Sequence, residues 1–280
     1  MSFDTDGFFS PTLERFRVSV REVPTYRLWF EFAEGLNRLG LEMLQDHEVP
    51  RHDNQRLTIA ALYVRAHQSF QAALLLAERG MLGDARVVLR SAVEGAIALN
   101  ALANDASFVD QLGAAHRFNQ RKIARLAVNN RDYRSFYSLA ETAQMQATVS
   151  EIDADEAAAG KKLGDINWAD VAVKHCKDLY ELLYRQLSGD GTHTNINAVH
   201  RHMDFDPAGQ FTGLKVGPTT DDMVGVLKAG CLMFLWAAAP FGRAANQDAV
   251  RAKIQDAIQR FATLPMDEPT DVTVTANFRS

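Results

Sequence analysis

Cysteine is scarce in this chain: Cys176 and Cys231 are the only two in 280 residues. Two thiols cannot build the disulfide framework of a small secreted domain. Both sit in apolar helical patterns and read as buried thiols of a reduced, cytoplasmic protein. An excess of either charge is also missing. The net charge of −5 argues against a broad nucleic-acid-coating surface, though not against a local basic patch. The N-terminus, MSFDTDGFFSPTLERF, starts acidic and lacks the apolar core of a secretory signal. The most apolar window, Met223–Phe241, contains Lys228, ends at Pro240 and is flanked by aspartates. It reads as a buried core helix and not a bilayer span, so no membrane partner is expected. No phosphate loop, G-x-G-x-x-G, G-x-S-x-G or C-x-x-C occurs, and no cofactor is called for.

What is present is helical periodicity on an ordinary soluble composition, 47% hydrophobic and 23% charged. Helices are predicted over Pro24–Asp46, Asp53–Arg79, Leu82–Ala103, Ser107–Val128, Tyr133–Ala159, Trp168–Leu187, Asp221–Ala239 and Ala249–Leu264. Gly80 supplies a helix C-cap, and the short turn after it makes an antiparallel hairpin. Tyr133–Ala159 is polar and acidic and reads as exposed or mobile. The expected fold is all-α, a single bundle of seven or eight helices over 24–264. A short irregular or hairpin insertion falls near 203–218. The segment 1–23 precedes the bundle and a disordered tail, 265–280, follows it.

Two constellations could carry chemistry. In Met81–Ala103, Arg90 and Glu94 interrupt a small, apolar helix and share one face with Val87, Ser91, Ala98 and Ala101, so the pair looks buried. A buried ion pair is costly to desolvate, which points to a polar partner from another helix. The best candidate for that partner is Ser188–His202. There Ser188, Gly189, Asp190, Gly191 and Thr192 make a turn, followed by His193, Asn195, Asn197, His200 and His202. A histidine beside a helix terminus suits acid–base work near neutral pH. An arginine oriented by a carboxylate suits an anion clamp, with Arg65 able to face the same cleft. Each has a plainer alternative: an ion pair that fixes helix register, and residues that cap helix ends. The run Arg117, Arg121, Lys122, Arg125 is a solvated face or an anion or RNA patch.

The hairpin QSFQAALLLAERGMLGDARVVLRSAVEGAIAL followed by YELLYRQLSGDGTHTN resembles an uncharacterised bacterial family, a domain of unknown function. Leu89–Glu94 and Ser188–His193 match its two motifs. More distantly, the layout is similar to HEPN-type helical domains, many of them RNA-cleaving enzymes of toxin and phage-defence systems. Their hallmark arginine stands four to six residues before a histidine. Here seven residues separate Arg185 from His193, a departure from that pattern.

The leading expectation is a metal-independent phosphodiester-cleaving enzyme acting on RNA or another anionic ligand. Its catalytic residues would be His193, Arg185, Arg90 and Glu94, with Ser188, Asp190, Asn195 and Arg65 binding substrate. The rival is a non-catalytic regulatory module that docks a protein partner through the acidic helix or the basic face. Homodimerisation through Met223–Phe241 is equally open. A third reading is a helical-bundle metal site built from His67, Glu94, His116 and His193.

Overall fold

The computed structural model describes residues 2–45, 52–191, 196–245 and 248–270. In chain order its elements are α1 (Phe3–Asp6), a 3-10 turn (Gly7–Phe9), α2 (Leu13–Glu22), α3 (Pro24–Gln45), α4 (Asn54–Glu78) and α5 (Leu82–Asn104). Then come α6 (Phe108–Asn129), α7 (Arg131–Arg134), α8 (Leu139–Ala159), α9 (Trp168–His175), α10 (Lys177–Leu179), a π turn (Tyr180–Tyr184), α11 (Arg185–Gly191) and α12 (Ile196–His200). Strands β1 (Met203–Phe205) and β2 (Phe211–Leu214) precede α13 (Met223–Ala244) and α14 (Asp248–Phe261). The fold is all-α, with one antiparallel hairpin, Met203 opposite Leu214, where the insertion was expected. The N-terminal segment adds α2, whose Leu13, Phe16 and Val20 are buried at helical spacing.

The chain divides into two compact units, Met1–Asn104 with Ala172–Ser280, and Asp105–Val171, where the sequence reading drew a single bundle over 24–264. In the first unit α4 and α5 form the predicted hairpin. Asp53 caps α4 by accepting from the Arg56 N–H at 3.0 Å. At its other end Gly80 takes φ +71°, while Met81 N–H donates to Leu76 O and Gly80 N–H to Ala77 O. This paired arrangement satisfies the last carbonyls and turns the chain back. A Cβ at Gly80 would stand 2.6 Å from Pro218, because the segment before α13 lies directly over this turn.

Helix α13 packs on α3, α4 and α5. With a mean hydropathy of 1.7 it is long and apolar enough to cross a membrane, yet 72% of its most apolar window is buried within the protein. The Tyr63 ring stacks on Phe241 at 4.0 Å, and Phe70 meets Phe234 at 4.9 Å. Both cysteines are buried free thiols, and burial raises their pKa values, to about 12 for Cys176.

The helix predicted to stop before Pro240 runs through it to Ala244. A proline inside a helix has no N–H for the carbonyl four residues back, here Trp236. Asn100 on α5 fills that role: its Nδ2 donates to Trp236 O at 3.0 Å and to Ala96 O at 2.8 Å. The tail expected to be disordered is seated at its start. Trp29 Nε1 donates to Pro265 O at 2.8 Å, and Glu268 accepts from Tyr26 Oη at 3.1 Å and from Val224 N–H at 2.6 Å. Residues 271–280 of that tail lie outside the described residues.

In the second unit α6 and α8 pair. Ser138 and Glu141 form a reciprocal capping box that starts α8. Helix α8 is largely exposed, as its composition suggested, with Thr142 and Ile152 buried.

Candidate functional site

The predicted meeting of Arg90 with the Ser188 segment occurs in the first unit. Helix α5 presents Arg90, Ser91 and Glu94, and the α10–α11 rod lies alongside it. The rod follows a break in the predicted helix at Cys176, whose φ of −162° and ψ of 56° leave helical geometry. It contains the π turn, closed by Arg185 N–H donating to Tyr180 O. Such turns recur at functional sites in helices.

Arg90 is held on three sides. Its Nε donates to Ser188 Oγ at 2.8 Å, its Nη2 to Tyr184 Oη at 2.7 Å, and its Nη1 lies 2.8 Å from Glu94 Oε1. The guanidinium carbon also sits 4.0 Å from the centroid of the Tyr184 ring. Tyr184 in turn donates to Glu94 at 3.3 Å, so its hydroxyl relays between the two charges. Burial raises the Tyr184 pKa, the Arg90 charge opposes that rise, and Glu94 adds to it. Arg65, from α4, donates Nη2 to Ser91 Oγ at 3.1 Å, one residue along from Arg90.

The pair is less enclosed than the sequence suggested. The side chains of Arg90 and Glu94 are 14% and 28% exposed. Ala98 and Ala101 are buried, but Val87, on the expected buried stripe, is exposed. The N-terminal half of α5 has one edge open to water, and Arg90 lies along it. Among the described residues the Ser188 hydroxyl makes no other side-chain hydrogen bond.

Arg185 is 64% exposed and paired with Glu181 at 2.6 Å. His193 and Asn195 lie outside the described residues, as does the side chain of Asp190. Tyr184 is a site residue that the sequence does not single out. Its spacing of four from Ser188, which puts both on one helical face, was the signal for its role.

The metal reading finds no support among the described residues, where no three His, Cys, Asp or Glu side chains cluster. His67 is a buried core residue, its Nε2 2.9 Å from Asn37 Oδ1 and its ring stacked with Tyr63. Desolvation lowers its pKa, so the neutral ring is favoured. His116 belongs to α6, in the second unit.

The basic run of α6 is not simply solvated. Arg117 pairs with Asp155 at 2.5 Å, Arg125 with Asp153 at 2.7 Å, and Arg121 with Asp153 at 3.0 Å and with Glu156. The acidic and basic faces, each expected to dock a partner, dock each other. Hydrogen bonding from Arg121, and then from the Leu163 N–H, holds the Glu156 carboxyl below the usual range.

A family model, described as a family of unknown function (DUF5677), matches residues 57–211, more than half of the chain. The chain belongs to this family. No curated protein and no solved structure matches it. The DUF5677 span takes in Arg65, Arg90, Glu94, Tyr184 and Ser188, and His193 as well. Helices α2, α3, α13 and α14 lie beyond the span, and Phe234 and Phe241 of α13 pack on Tyr63, His67 and Phe70 within it.

Proposed function

We propose that the corner of Arg90, Glu94, Tyr184 and Ser188 recognises an RNA phosphodiester, and that His193 serves there as general acid–base in a metal-independent, cytoplasmic ribonuclease of a bacterial defence or toxin system. The observation that carries this reading is the three-way hold on Arg90, with the Ser188 hydroxyl accepting from its Nε. A guanidinium fixed this way stabilises charge developing on phosphate oxygens without reorganising as it does so. In such a reaction the ribose 2′-hydroxyl loses its proton to a base and attacks the adjacent phosphorus. The 5′-oxygen leaves with a proton, and a cyclic phosphate forms. His193 follows Ser188 by five residues, close enough along the chain to serve as that base.

The test is cleavage of end-labelled RNA oligonucleotides in the presence of EDTA. His193→Ala and Arg90→Ala each lower the rate by about 100-fold or more while circular dichroism stays unchanged. A wild type that leaves every RNA intact, or an active His193→Ala variant, sinks the reading.

A second reading, a non-catalytic anion-binding or regulatory module, is favoured by one observation. Arg185 is turned to Glu181, so the corner keeps one arginine, already neutralised by Glu94. Binding of labelled RNA at that corner without cleavage selects it.

A further inference from the structure

The turn between α6 and α8 carries the run Asn130–Tyr137, NRDYRSFY, in which basic and aromatic residues alternate. It is a built turn. Asn130 Oδ1 accepts from the Asp132 N–H at 2.9 Å, Phe136 N–H donates to Tyr133 O at 3.1 Å, and Tyr137 N–H donates to Arg134 O at 3.2 Å. Folding does not bury its rings. Tyr133 is 50% exposed, Phe136 80% and Tyr137 37%, with Ile123 and Leu126 of α6 exposed as well. Three exposed rings within five residues leave apolar surface that a partner can cover.

The charge around it is mostly basic, although Glu141 lines a hollow with Ile123. Helix α8 occupies Arg117, Arg121 and Arg125, whereas Lys122, Arg131 and Arg134 form no ion pair among the described residues. Asp132 is the only acid within the run. Beside the turn a groove of about 410 Å³ opens between Phe118, Lys122, Leu126 and Asn130, within the range of ligand-sized sites.

Flat rings set among unpaired cations, next to a groove that can carry a backbone, match a polyanion with exposed bases. We propose that this turn docks single-stranded nucleic acid, the bases stacking on Tyr133, Phe136 and Tyr137 and the phosphates meeting Lys122, Arg131 and Arg134. An apolar protein partner would use the rings and leave the cations idle. The proposal concerns binding by the second unit and stands apart from cleavage at Arg90.

The experiment is fluorescence anisotropy of the full chain with labelled 20-mers of U and of dT, with a base-paired duplex and with anionic vesicles. The single strands bind, RNA or DNA, and the duplex binds more weakly because its bases are stacked. Affinity falls as salt rises. Tyr133→Ala combined with Phe136→Ala weakens single-strand binding about tenfold or more. Arg131→Ala with Arg134→Ala flattens the salt dependence. These positions are exposed, so thermal midpoints hold. Absence of single-strand binding at low salt overturns the proposal, as does indifference to the aromatic variants. Preference for vesicles, or Phe136-dependent capture of a protein with no affinity for either strand, overturns it too. Single-strand binding by a wild type that leaves every RNA intact counts against the catalytic reading alone.

Discussion

Arg90 and Ser188 stand 98 positions apart in the chain and 2.8 Å apart in the fold, Nε donating to Oγ. This bond ties the α4–α5 hairpin to the α10–α11 rod, and its removal separates structural from functional roles. Ser188→Ala costs about 1 kcal/mol and Arg90→Ala about 2 kcal/mol, the larger loss because Glu94 and Tyr184 then lose their cation as well. Urea unfolding of the two single variants and the double variant gives a coupling of about 1 kcal/mol. Strict additivity would show that the contact does not stabilise the fold.

Asn100 and Pro240 form a second such pair. Asn100→Leu leaves the Trp236 carbonyl unpaired in the core and destabilises by about 1–3 kcal/mol. Pro240→Ala restores an N–H for that carbonyl, so in its background the Asn100→Leu penalty shrinks. Thermal melts of the four proteins check this, and an unchanged penalty contradicts it.

His67 makes stability depend on pH. Burial holds its pKa below the ordinary 6.5. The unfolded chain therefore takes up the proton first, and stability present above pH 6.5 is lost as pH falls below it. Urea midpoints at pH 7.5 and 5.5 should differ in the wild type, with a smaller difference in His67→Gln. An equal difference in both assigns the effect to other groups.

The seated start of the tail contributes to the first unit. Truncation after Leu264 removes the Pro265 carbonyl from Trp29 and the Glu268 carboxylate from Tyr26 and the Val224 N–H. Stability falls by about 1–3 kcal/mol. Tryptophan emission shifts to the red as the Trp29 indole, buried in the intact chain, meets water. An unshifted spectrum would show that other groups cover the ring.

Much of the fold was legible because apolar spacing alone dictates it. The helices α3, α4, α5 and α6 begin and end close to where their periodicity and caps put them, whereas α8 starts at Leu139, six residues after the expected Tyr133, because the Ser138–Glu141 capping box sets its first turn. The partnership of Arg90 with Ser188 was legible for a related reason: a charged pair on a small-residue helix requires polar company, and one later segment was rich in it. Other features left weaker traces. The ion pairs of α6 with α8 join residues 28–38 positions apart, and opposite charge does not specify register. The tail binds partly through a backbone carbonyl, which carries no side-chain pattern. Pro240 read as a stop because the side chain that replaces its missing donor lies on another helix. Tyr184 left one trace, its spacing of four from Ser188, because the π turn before it does not keep the 3.6-residue period.

That turn separates counting from geometry. A π turn holds one residue more than the α turn it replaces, so the rod's two halves keep their alignment while the sequence between them runs one position long. A relative lacking one residue between 180 and 184 would present the same tyrosine and serine to its arginine from an unbroken α-helix. Spacing rules that span this rod are therefore off by one in whichever chain lacks the extra residue.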